Sequence, residues 1–455
     1  MKNNLDIKIA FIIMGLLIVL VGFFQSWGVA LSILNLCLIS SVMSMGVNMQ
    51  WGYSGLINFG VMGFLAIGGL AVIVISVPPV YAAWDAGGTG IIMSGLLLAA
   101  LVYAVFYVHS KVTSKYKNYI IFALVISIVP IMKAVSGPSI HAIESIDAAT
   151  SGYLGGFNMP IIFSWFVGAL LAAFVAFVTG KVCLGLRSDY LAIATLLISG
   201  IVITIVKHEE WLTRGVKNVI GLKRPAPYEV DLQNSDWFVG MIESIYSSRL
   251  SKITDIDQQI ATLKELVISS SGVFVKLCFS LIFAAVLITL LIFSEKALRS
   301  PWGRMMRAIR DNEDAAKAMG KNVVKRHLHI FMIGSAIIGF AGAMLVTYDG
   351  LFTPASFQPL RYTFLIWVMV LLGGTGNNYG AILGGFVVWF IWIESAPLAL
   401  FLINTLLGQV DSANEVKKHL IDSIPYFRYL MMGLGLLLVM RYRPKGLLPE
   451  KIIRN

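Results

Sequence analysis

Charged residues are scarce in this 455-residue chain: they make up 13% of it, whereas 58% of the residues are hydrophobic. Soluble domains usually carry about 25% charged and about 45–50% apolar residues, so the composition excludes an ordinary globular enzyme and a disordered protein. Cysteine is also scarce. Cys37, Cys183 and Cys278 fall in or beside apolar runs and lack metal-ligand spacing, which argues against a disulfide framework and a zinc site. We therefore place the chain in a lipid bilayer.

Motifs for catalysis and nucleotide binding are missing from the sequence as well. The glycine-rich stretch 373–380 is not followed by Gly-Lys-Ser/Thr, and no Walker A pattern occurs, so any ATP must bind to another chain. The six histidines assemble no site, and no nucleophile stands with a base and an orienting group. A membrane enzyme is thus the weakest hypothesis, and we expect no metal or other cofactor in this chain.

Long apolar runs are what the sequence does contain. A helix needs about 20 apolar residues to cross a hydrocarbon core about 30 Å thick. Twelve runs occur, of which the tenth is short: 8–24, 28–50, 56–76, 91–108, 119–135, 160–180, 188–206, 272–293, 327–347, 362–373, 380–403 and 425–440. The first run is kept as a span because Gln25-Ser26-Trp27 offers no small-x-small cleavage site. The sequence predicts an all-α, polytopic transmembrane helix bundle of about 10–12 spans.

The basic residues indicate which side of the membrane each loop faces. The net charge is +11, and 21 of the 35 basic residues face inside if both termini are cytoplasmic. Of the other 14, nine belong to one long insertion, where the positive-inside rule has little force. We predict cytoplasmic termini and three regions: N-terminal transmembrane helices over 1–206, a periplasmic insertion over 207–271, and C-terminal helices over 272–455 with a cytoplasmic loop at 294–326.

The insertion is too polar to span a membrane. Apolar residues recur in it every three or four positions, at Ile253, Ile256, Ile260, Leu263 and Val267. This spacing predicts an amphipathic helix over 251–267. Such a helix packs on its own protein, rests on the membrane surface or meets an external partner, and the spacing alone leaves these alternatives open.

Glycine is concentrated in the apolar stretch 51–70, which contains six glycines: Gly52, Gly55, Gly60, Gly63, Gly68 and Gly69. The stretch is either a broken helix lining a pathway or a tight helix crossing. Two other intramembrane features stand out. Ser335, Gly339 and Ala343 form a small-xxx-small row that indicates a helix contact. Glu394 is either a pathway or partner-binding residue, or a carboxylate that is hydrated or paired with Lys417 or Arg428.

The cytoplasmic loop 294–326 is the most polar stretch near the membrane. Pro301 suits a helix start and Gly320 a helix stop, so one helix is expected between them. Arginines come first in this helix, at Arg304, Arg307 and Arg310, and acidic residues follow, at Asp311, Glu313 and Asp314. The helix either lies on the anionic inner leaflet through its arginines or is presented to a cytoplasmic partner.

Four stretches, in this order, resemble the permease subunits of the branched-chain amino acid ABC importer family, particularly the longer of its two permease types. They are the glycine stretch 51–70, the run Ser-Asp-Tyr-Leu-Ala-Ile-Ala-Thr-Leu at 188–196, the segment 303–320, and the stretch 371–385 together with Arg-Pro-Lys-Gly-Leu-Leu at 443–448. The sequence departs from the family at 213–221, where relatives often have a Gly-Gly-Pro-Asn-Gly type run, and its insertion is longer than usual.

The resemblance implies an importer half that is moved by ATP bound to partner chains. The expected partners are a second permease chain, two cytoplasmic ATP-binding subunits and a periplasmic solute-binding protein, in a bacterial inner membrane. ATPase coupling is implied for Asp311, Glu313, Asp314, Ala315, Ala316 and Gly320. A pathway at a dimer interface is implied, with Tyr53, Asn58, Gly60, Gly63 and Asp189 as candidates to line it.

The expected solute is a branched-chain or related amino acid, or another small polar solute such as urea or a short amide. The alternative from another class is a single-chain secondary transporter with paired broken helices around 55–63 and 373–380. Such a transporter needs an ion site at midplane, to which Glu394 and Asp189 could contribute charge.

Overall fold

The computed structural model describes residues 2–111, 116–146, 152–215, 217–406 and 415–450. Its α-helices are α1 Lys2–Phe24, α2 Trp27–Ser54, α3 Val61–Ser76, α4 Tyr81–Ala83, α5 Thr89–Lys111, α6 Lys117–Glu144, α7 Ile161–Cys183, α8 Ser188–His208, α9 Glu210–Thr213, α10 Glu229–Gln233, α11 Asp236–Ile245, α12 Ser247–Leu250, α13 Ile256–Arg299, α14 Pro301–Asp311, α15 Glu313–Ala318, α16 Val323–Asp349, α17 Leu365–Gly373, α18 Asn378–Leu406, α19 Glu415–Asp422 and α20 Ile424–Tyr442. Strands β1 Val219–Ile220 and β2 Leu351–Phe352 pair antiparallel, with Val219 opposite Phe352. Short π-helical turns occupy Trp84–Gly88 and Leu360–Phe364, and a 3₁₀ turn occupies Pro354–Ser356.

Ten helices in the described ranges are long and apolar enough to cross a membrane, and two shorter apolar helices accompany them, Val61–Ser76 and Arg361–Gly373. Each of the twelve predicted apolar runs coincides with one of these helices, which confirms the all-α polytopic bundle. The helix in the third run is shorter than predicted. Gly55 ends α2 by adopting the left-handed conformation, at φ +73°, and residues 55–60 are not helical. Three basic residues used for the sidedness prediction, Lys115, Lys451 and Arg454, lie outside the described residues.

The core of the bundle lies around α16, which packs against α2, α3 and α7. Glycines bring three of these helices into contact. A Cβ built on Gly68 of α3 would overlap the Gly339 carbonyl oxygen of α16, and a Cβ on Gly339 would lie 2.8 Å from the Gly168 carbonyl oxygen of α7. The structure thus confirms the helix contact predicted from the small-residue row, since backbones approach this closely only where no side chain intervenes.

The predicted amphipathic helix differs from the observed one in its start and in its length. The helix begins at Ile256, not at residue 251, because the Asp255 side chain caps it by accepting a hydrogen bond from the Asp257 N–H at 3.2 Å. It then continues without interruption into the next span. At 44 residues, α13 is about 66 Å long, roughly twice the thickness of a hydrocarbon core. Ile256 and Ile260 are exposed at its N-terminal end, whereas Val267 is buried.

The bundle has two ends, and the chain alternates between them. We call the end at which α13 finishes and α16 starts the basal face. The last turns of α2 and α20 and the first turn of α18 also lie there, in contact with α14 or with the segment after α20. The insertion, the β1–β2 pair and the turn between α1 and α2 lie at the opposite end.

Candidate functional site

The connection between α13 and α16 forms a two-helix projection on the basal face, made of α14 and α15. Its first helix starts at Pro301, where the missing N–H is no loss because the first turn of a helix has no acceptor for it. The second helix has an acidic first turn, which complements the helix dipole. The projection ends at Gly320, which adopts φ +73°.

The prediction of a single helix between Pro301 and Gly320 is wrong, because the helix is interrupted at Asn312. Asn312 is extended, at φ −155° and ψ 99°, and its side-chain carbonyl accepts a hydrogen bond from the Ala315 N–H at 2.9 Å. Asparagine is among the residues that best cap a helix start, so it ends α14 and starts α15 in one step. The break turns the short second helix away from the first.

Five of the six residues of α15 are exposed to solvent, and Ala316 is half buried. None of its residues is buried; Ala315 and Ala318 are exposed, and Met319 just beyond it is 79% exposed. Lys317 and Glu313 form an ion pair at 2.9 Å, but both are half exposed, so the pair contributes little stability. The surface is therefore small, convex and apolar with an acidic edge, which suits insertion into a groove of another protein.

Two of the three arginines of α14, Arg307 and Arg310, are half buried against the protein, whereas Arg304 is exposed. Arg307 donates to the Leu298 carbonyl oxygen at 2.8 Å, and Arg304 donates to the Arg299 carbonyl oxygen at 3.2 Å. Arg310 forms an ion pair with Glu450 at 2.9 Å and donates to the Gly52 carbonyl oxygen. Side chains engaged in this way are not aligned to bind lipid phosphates, so the geometry favours presentation to a partner over attachment to the inner leaflet.

A polar cluster joins the projection to the bundle. We call it the basal junction; its members are Asn48, Gly52, Glu295, Arg310, Gly376, Asn378 and Glu450. Asn48 accepts from the Gly376 N–H at 2.9 Å and donates to Asn378 at 3.1 Å. Asn378 in turn donates to Glu295 at 3.1 Å. These bonds link α2, the turn before α18 and the end of α13, and Arg310 adds α14 and the C-terminal segment.

A second polar cluster closes the break between α2 and α3. The Asn58 side chain donates to Gln50 at 2.8 Å and accepts from the Gly60 N–H at 2.8 Å. Gln50 also donates to the Phe331 carbonyl oxygen at 2.9 Å. The Trp367 indole donates to the Asn58 carbonyl oxygen at 2.9 Å. Side chains of neighbouring helices therefore satisfy backbone groups that a broken helix leaves free inside a membrane.

The second mid-bundle break is not where the secondary-transporter alternative placed it. The 374–377 turn lies at the basal face, where it contacts the C-terminal segment. The break beside 55–60 is instead the segment 353–364: the Thr363 hydroxyl donates to the Phe59 carbonyl oxygen at 3.2 Å and accepts from the Met62 N–H at 3.3 Å. Two half-length helices, α3 and α17, start from this shared point.

Four of the five predicted pathway residues lie along the α2–α3 break, but none lines an open channel. Tyr53 borders a cavity of about 140 Å³ at the basal junction, and Asn58 is only 1% exposed. Gly60 and Gly63 face Thr195 and Ser199 of α8 across a crevice of about 10 Å³, which holds at most about one water molecule. Asp189 lies apart from them, exposed in the first turn of α8.

Thr195 and Ser199, which line this crevice, were not predicted from the sequence. Their hydroxyl-bearing side chains recur at a spacing of four on one face of α8, and Thr195 also accepts from the Phe59 N–H at 3.1 Å. The spacing of four between two hydroxyl residues in an apolar span was the one sequence pattern that could have predicted their place beside the glycines.

Asn58 is expected to be a structural residue, and its replacement tests this. Asn58→Leu leaves the Gln50 side-chain oxygen Oε1 and the Gly60 N–H buried without the partners they have in the structure. Each such group costs about 1–3 kcal/mol, so we expect a loss of about 2 kcal/mol or more in the free energy of unfolding. Thermal unfolding of the purified chain measures it, with Thr204→Val on the exposed face of α8 as the control. Normal stability combined with lost transport would instead make Asn58 a pathway residue.

Glu394 has a neutral partner. Its Oε2 accepts a hydrogen bond from the Gln25 side chain at 2.8 Å, at the end of the bundle opposite the basal face. Arg428 does not pair with it; the Arg428 guanidinium lies over the Trp392 ring, 5.1 Å from its centroid. Among the described side chains, no group of three or more His, Cys, Asp or Glu could hold a metal ion.

These features define a class of protein. It is a polytopic helix bundle in which two short apolar helices start from a shared break, with an exposed helical projection on one face, and this arrangement fits a membrane transport subunit. The family follows from comparison. The model for the permease component of branched-chain amino acid transport systems matches residues 139–440, and the chain belongs to this family.

Individual relatives agree with the family. The chain is 34% identical over 169 residues to a probable branched-chain amino acid transport permease protein LivM of Methanocaldococcus jannaschii, which is 36% of this chain and 44% of the relative. It is 26% identical over 284 residues to the high-affinity LivM permease protein of Escherichia coli, 62% of this chain and 56% of the relative. A fructose import permease of Rhizobium meliloti is 30% identical over 94 residues, 20% of this chain and 26% of the relative.

The chain spans about half the length of the curated relatives it matches. No solved structure gives a significant match. The resemblance to branched-chain amino acid permeases predicted from sequence is confirmed. Two of its four motifs, 188–196 and 303–320, lie inside the family match. The fourth motif is divided, because 371–385 lies inside the match and 443–448 lies outside it. The glycine stretch 51–70 also lies outside.

Proposed function

We propose that this chain is the transmembrane permease subunit of an ABC importer, and that it moves branched-chain or related amino acids inward by ATP-driven alternating access. The observation that carries the proposal is α15: a short, capped helix on the basal face with no buried side chain. The solute class follows the LivM relatives, which are named as branched-chain amino acid permeases. Urea, short amides and sugars remain outcomes of the test.

The projection is the docking element for a cytoplasmic ATPase. Ala315 and Met319 supply the outward apolar contact, and Glu313 and Asp314 supply the acidic edge. Ala316 is half buried and packs on its own chain, while Gly320 permits the turn into α16. Asp311 pairs with Arg310 at 3.1 Å and so belongs to the attachment of the projection.

Motion of the projection has a short route into the bundle. Only Ser300 separates α13 from α14, and residues 319–322 join α15 to α16. Because α16 packs against α2, α3 and α7, displacement of its first turn reaches the α2–α3 break. Closure of two ATP-bound subunits would thereby open or close the crevice beside Gly60 and Gly63.

The remaining proposed partners would bind to other surfaces of the chain. A second permease chain, identical or related, is supported by an exposed apolar stripe on α8, made of Tyr190, Ile193, Leu197, Ile201 and Ile205. This stripe lies on the face of α8 opposite Thr195 and Ser199, so α8 itself stands between the proposed partner chain and the crevice beside Gly60 and Gly63. A periplasmic solute-binding protein would meet the 207–271 insertion at the opposite end. Both termini are then cytoplasmic in a bacterial inner membrane, with the basal face inside, in agreement with the basic residues.

Reconstitution tests the proposed function. The chain is co-expressed with the two ATPase subunits and the second permease chain that the proposal requires, and the complex is placed in liposomes with the solute-binding protein. Labelled leucine should accumulate only with ATP, and urea, acetamide and fructose serve as competing solutes. Accumulation by the chain alone under an ion gradient would contradict the proposal and indicate a secondary transporter.

A further inference from the structure

We propose that Arg310 and Glu450 form a latch through which the C-terminal segment 443–450 sets the resting position of the α14–α15 projection. The inference deepens the proposed function and rests on it. In this role Arg310 is a positioning residue, because it acts through the projection and touches no solute.

Arg310 is placed to join several elements at once. It lies in the last turn of α14, two residues before the break at Asn312. Its Nη1 lies 2.9 Å from Glu450 Oε2, and its Nε lies 3.1 Å from Asp311 Oδ1. The same guanidinium donates to the Gly52 carbonyl oxygen in the last turn of α2. One side chain therefore fixes the end of α14 to α2 and to the C-terminal segment.

Glu450 is held in place by its own segment. The Leu447 and Leu448 N–H groups donate to the carbonyl oxygens of Leu372 and Gly373 at the end of α17, both at 2.9 Å. Asn377 donates to the Leu448 carbonyl oxygen at 3.1 Å. The Leu448 side chain is buried against Met14 and Leu383. The carboxylate thus stands on a part of the bundle that is not the projection, as a latch requires.

The ion pair is more than a surface contact. The side chains of Arg310 and Glu450 are 23% and 24% exposed, so water screens the pair less than it screens the exposed Lys317–Glu313 pair on α15. Burial alone would lower the pKa of Arg310, but hydrogen bonds and charges from Glu450 and Asp311 outweigh it and raise this pKa. Removing Arg310 leaves the Glu450 carboxylate partly buried without its ion-pair partner, whereas removing Glu450 leaves Arg310 with only Asp311 and the Gly52 carbonyl oxygen.

The latch connects to the point where α2 breaks. The aliphatic part of Arg310 passes beside Gly55, where a built Cβ would lie 3.4 Å from Arg310 Cγ. Gly55 begins the non-helical segment that leads to Asn58 and Gly60. While Arg310 holds both the Gly52 carbonyl oxygen and Glu450, displacement of the end of α14 is passed to the last turn of α2 and to the C-terminal segment. Force on α15 then reaches the break, whereas loss of Glu450 removes the charge that fixes the guanidinium against Gly52, so that less of the motion is transmitted.

Uncoupling of ATP hydrolysis from uptake is the signature to measure. The complex is reconstituted with Arg310→Gln, Glu450→Gln, both together, or Arg310→Lys, and ATP hydrolysed per leucine transported is recorded. Each single glutamine variant should raise this ratio at least fivefold, while co-purification of the ATPase stays within twofold. The double variant should be no worse than the worse single variant, because both remove one interaction. Arg310→Lys, which keeps the charge, should stay within twofold of the original.

Arg304→Gln is the matched control, since Arg304 lies on the same helix and contacts only a neighbouring carbonyl oxygen. A normal ratio in Glu450→Gln, or effects that multiply in the double variant, would overturn the latch. Failure of the unsubstituted complex to couple ATP to uptake would instead overturn the proposed function. Thermal unfolding of each variant separates a loss of coupling from a loss of fold.

Discussion

Replacing Ala315 or Met319 by glutamate is expected to reduce the affinity of the chain for the ATPase proposed above by about 30-fold or more. Both side chains are exposed on the projection, and a carboxylate forced into an apolar groove loses its hydration without gaining a partner. A central contact residue typically contributes about 2 kcal/mol or more to binding, which corresponds to this change. Titration of purified ATPase onto the chain in nanodiscs measures the affinity directly.

Neither substitution should disturb the projection itself. Ala315 occupies the third position of α15, where glutamate is a favoured residue, and Met319 follows the last helical residue. Ala316→Glu is a poorer probe because that residue is half buried against its own chain. Leu186→Glu, an exposed apolar residue in the α7–α8 connection, is the matched control. Full ATPase binding by both projection variants would show that α15 is not the docking element.

Valine at Gly68 or Gly339 is expected to prevent normal folding of the bundle. A Cβ at either position would overlap backbone of a neighbouring helix, which cannot withdraw as a flexible side chain could. Overpacking usually costs about 1–3 kcal/mol, and backbone overlap at the core of α16 should reach about 3 kcal/mol or more. Size-exclusion chromatography measures the loss of monodisperse protein, and thermal unfolding measures the loss of stability.

Two glycines in the same bundle provide the control for valine itself. A Cβ built on Gly200 of α8 or Gly433 of α20 meets no heavy atom within 4 Å. Gly200→Val and Gly433→Val should therefore leave the yield of monodisperse protein close to that of the original. Equal losses at all four positions would mean that helix propensity, and not helix contact, determines the effect.

Hydrophobicity predicted the helices well because each span is a local property of its own residues. All twelve apolar runs became helices, and the Gly339 row predicted a contact that the structure contains. The break at Asn312 was missed although a signal was present: asparagine followed by Glu313 and Asp314 is a typical helix start. A helical pattern of apolar residues on both sides of it concealed the cap.

Long-range pairs had no signal in a single sequence. Arg310 and Glu450 are 140 positions apart, and nothing in the spacing of either indicates the other. Asn58 was singled out as unusual, and the structure adds hydrogen bonds to Gln50 and Gly60 that the sequence did not indicate. The pathway assignments for Tyr53, Asn58, Gly60, Gly63 and Asp189 stay predictions.

The length of α13 has a mechanical consequence. Its 44 residues contain no proline, so a single stiff rod runs from the outer insertion to Ser300, directly before the projection. If such a rod pivots about one end, a tilt of about 5° displaces the other end by about 6 Å, more than one helical turn. A protein bound to the insertion and an ATPase bound to the basal projection would then contact opposite ends of one rigid helix. Displacement of either end would move the other end without a rearrangement between them.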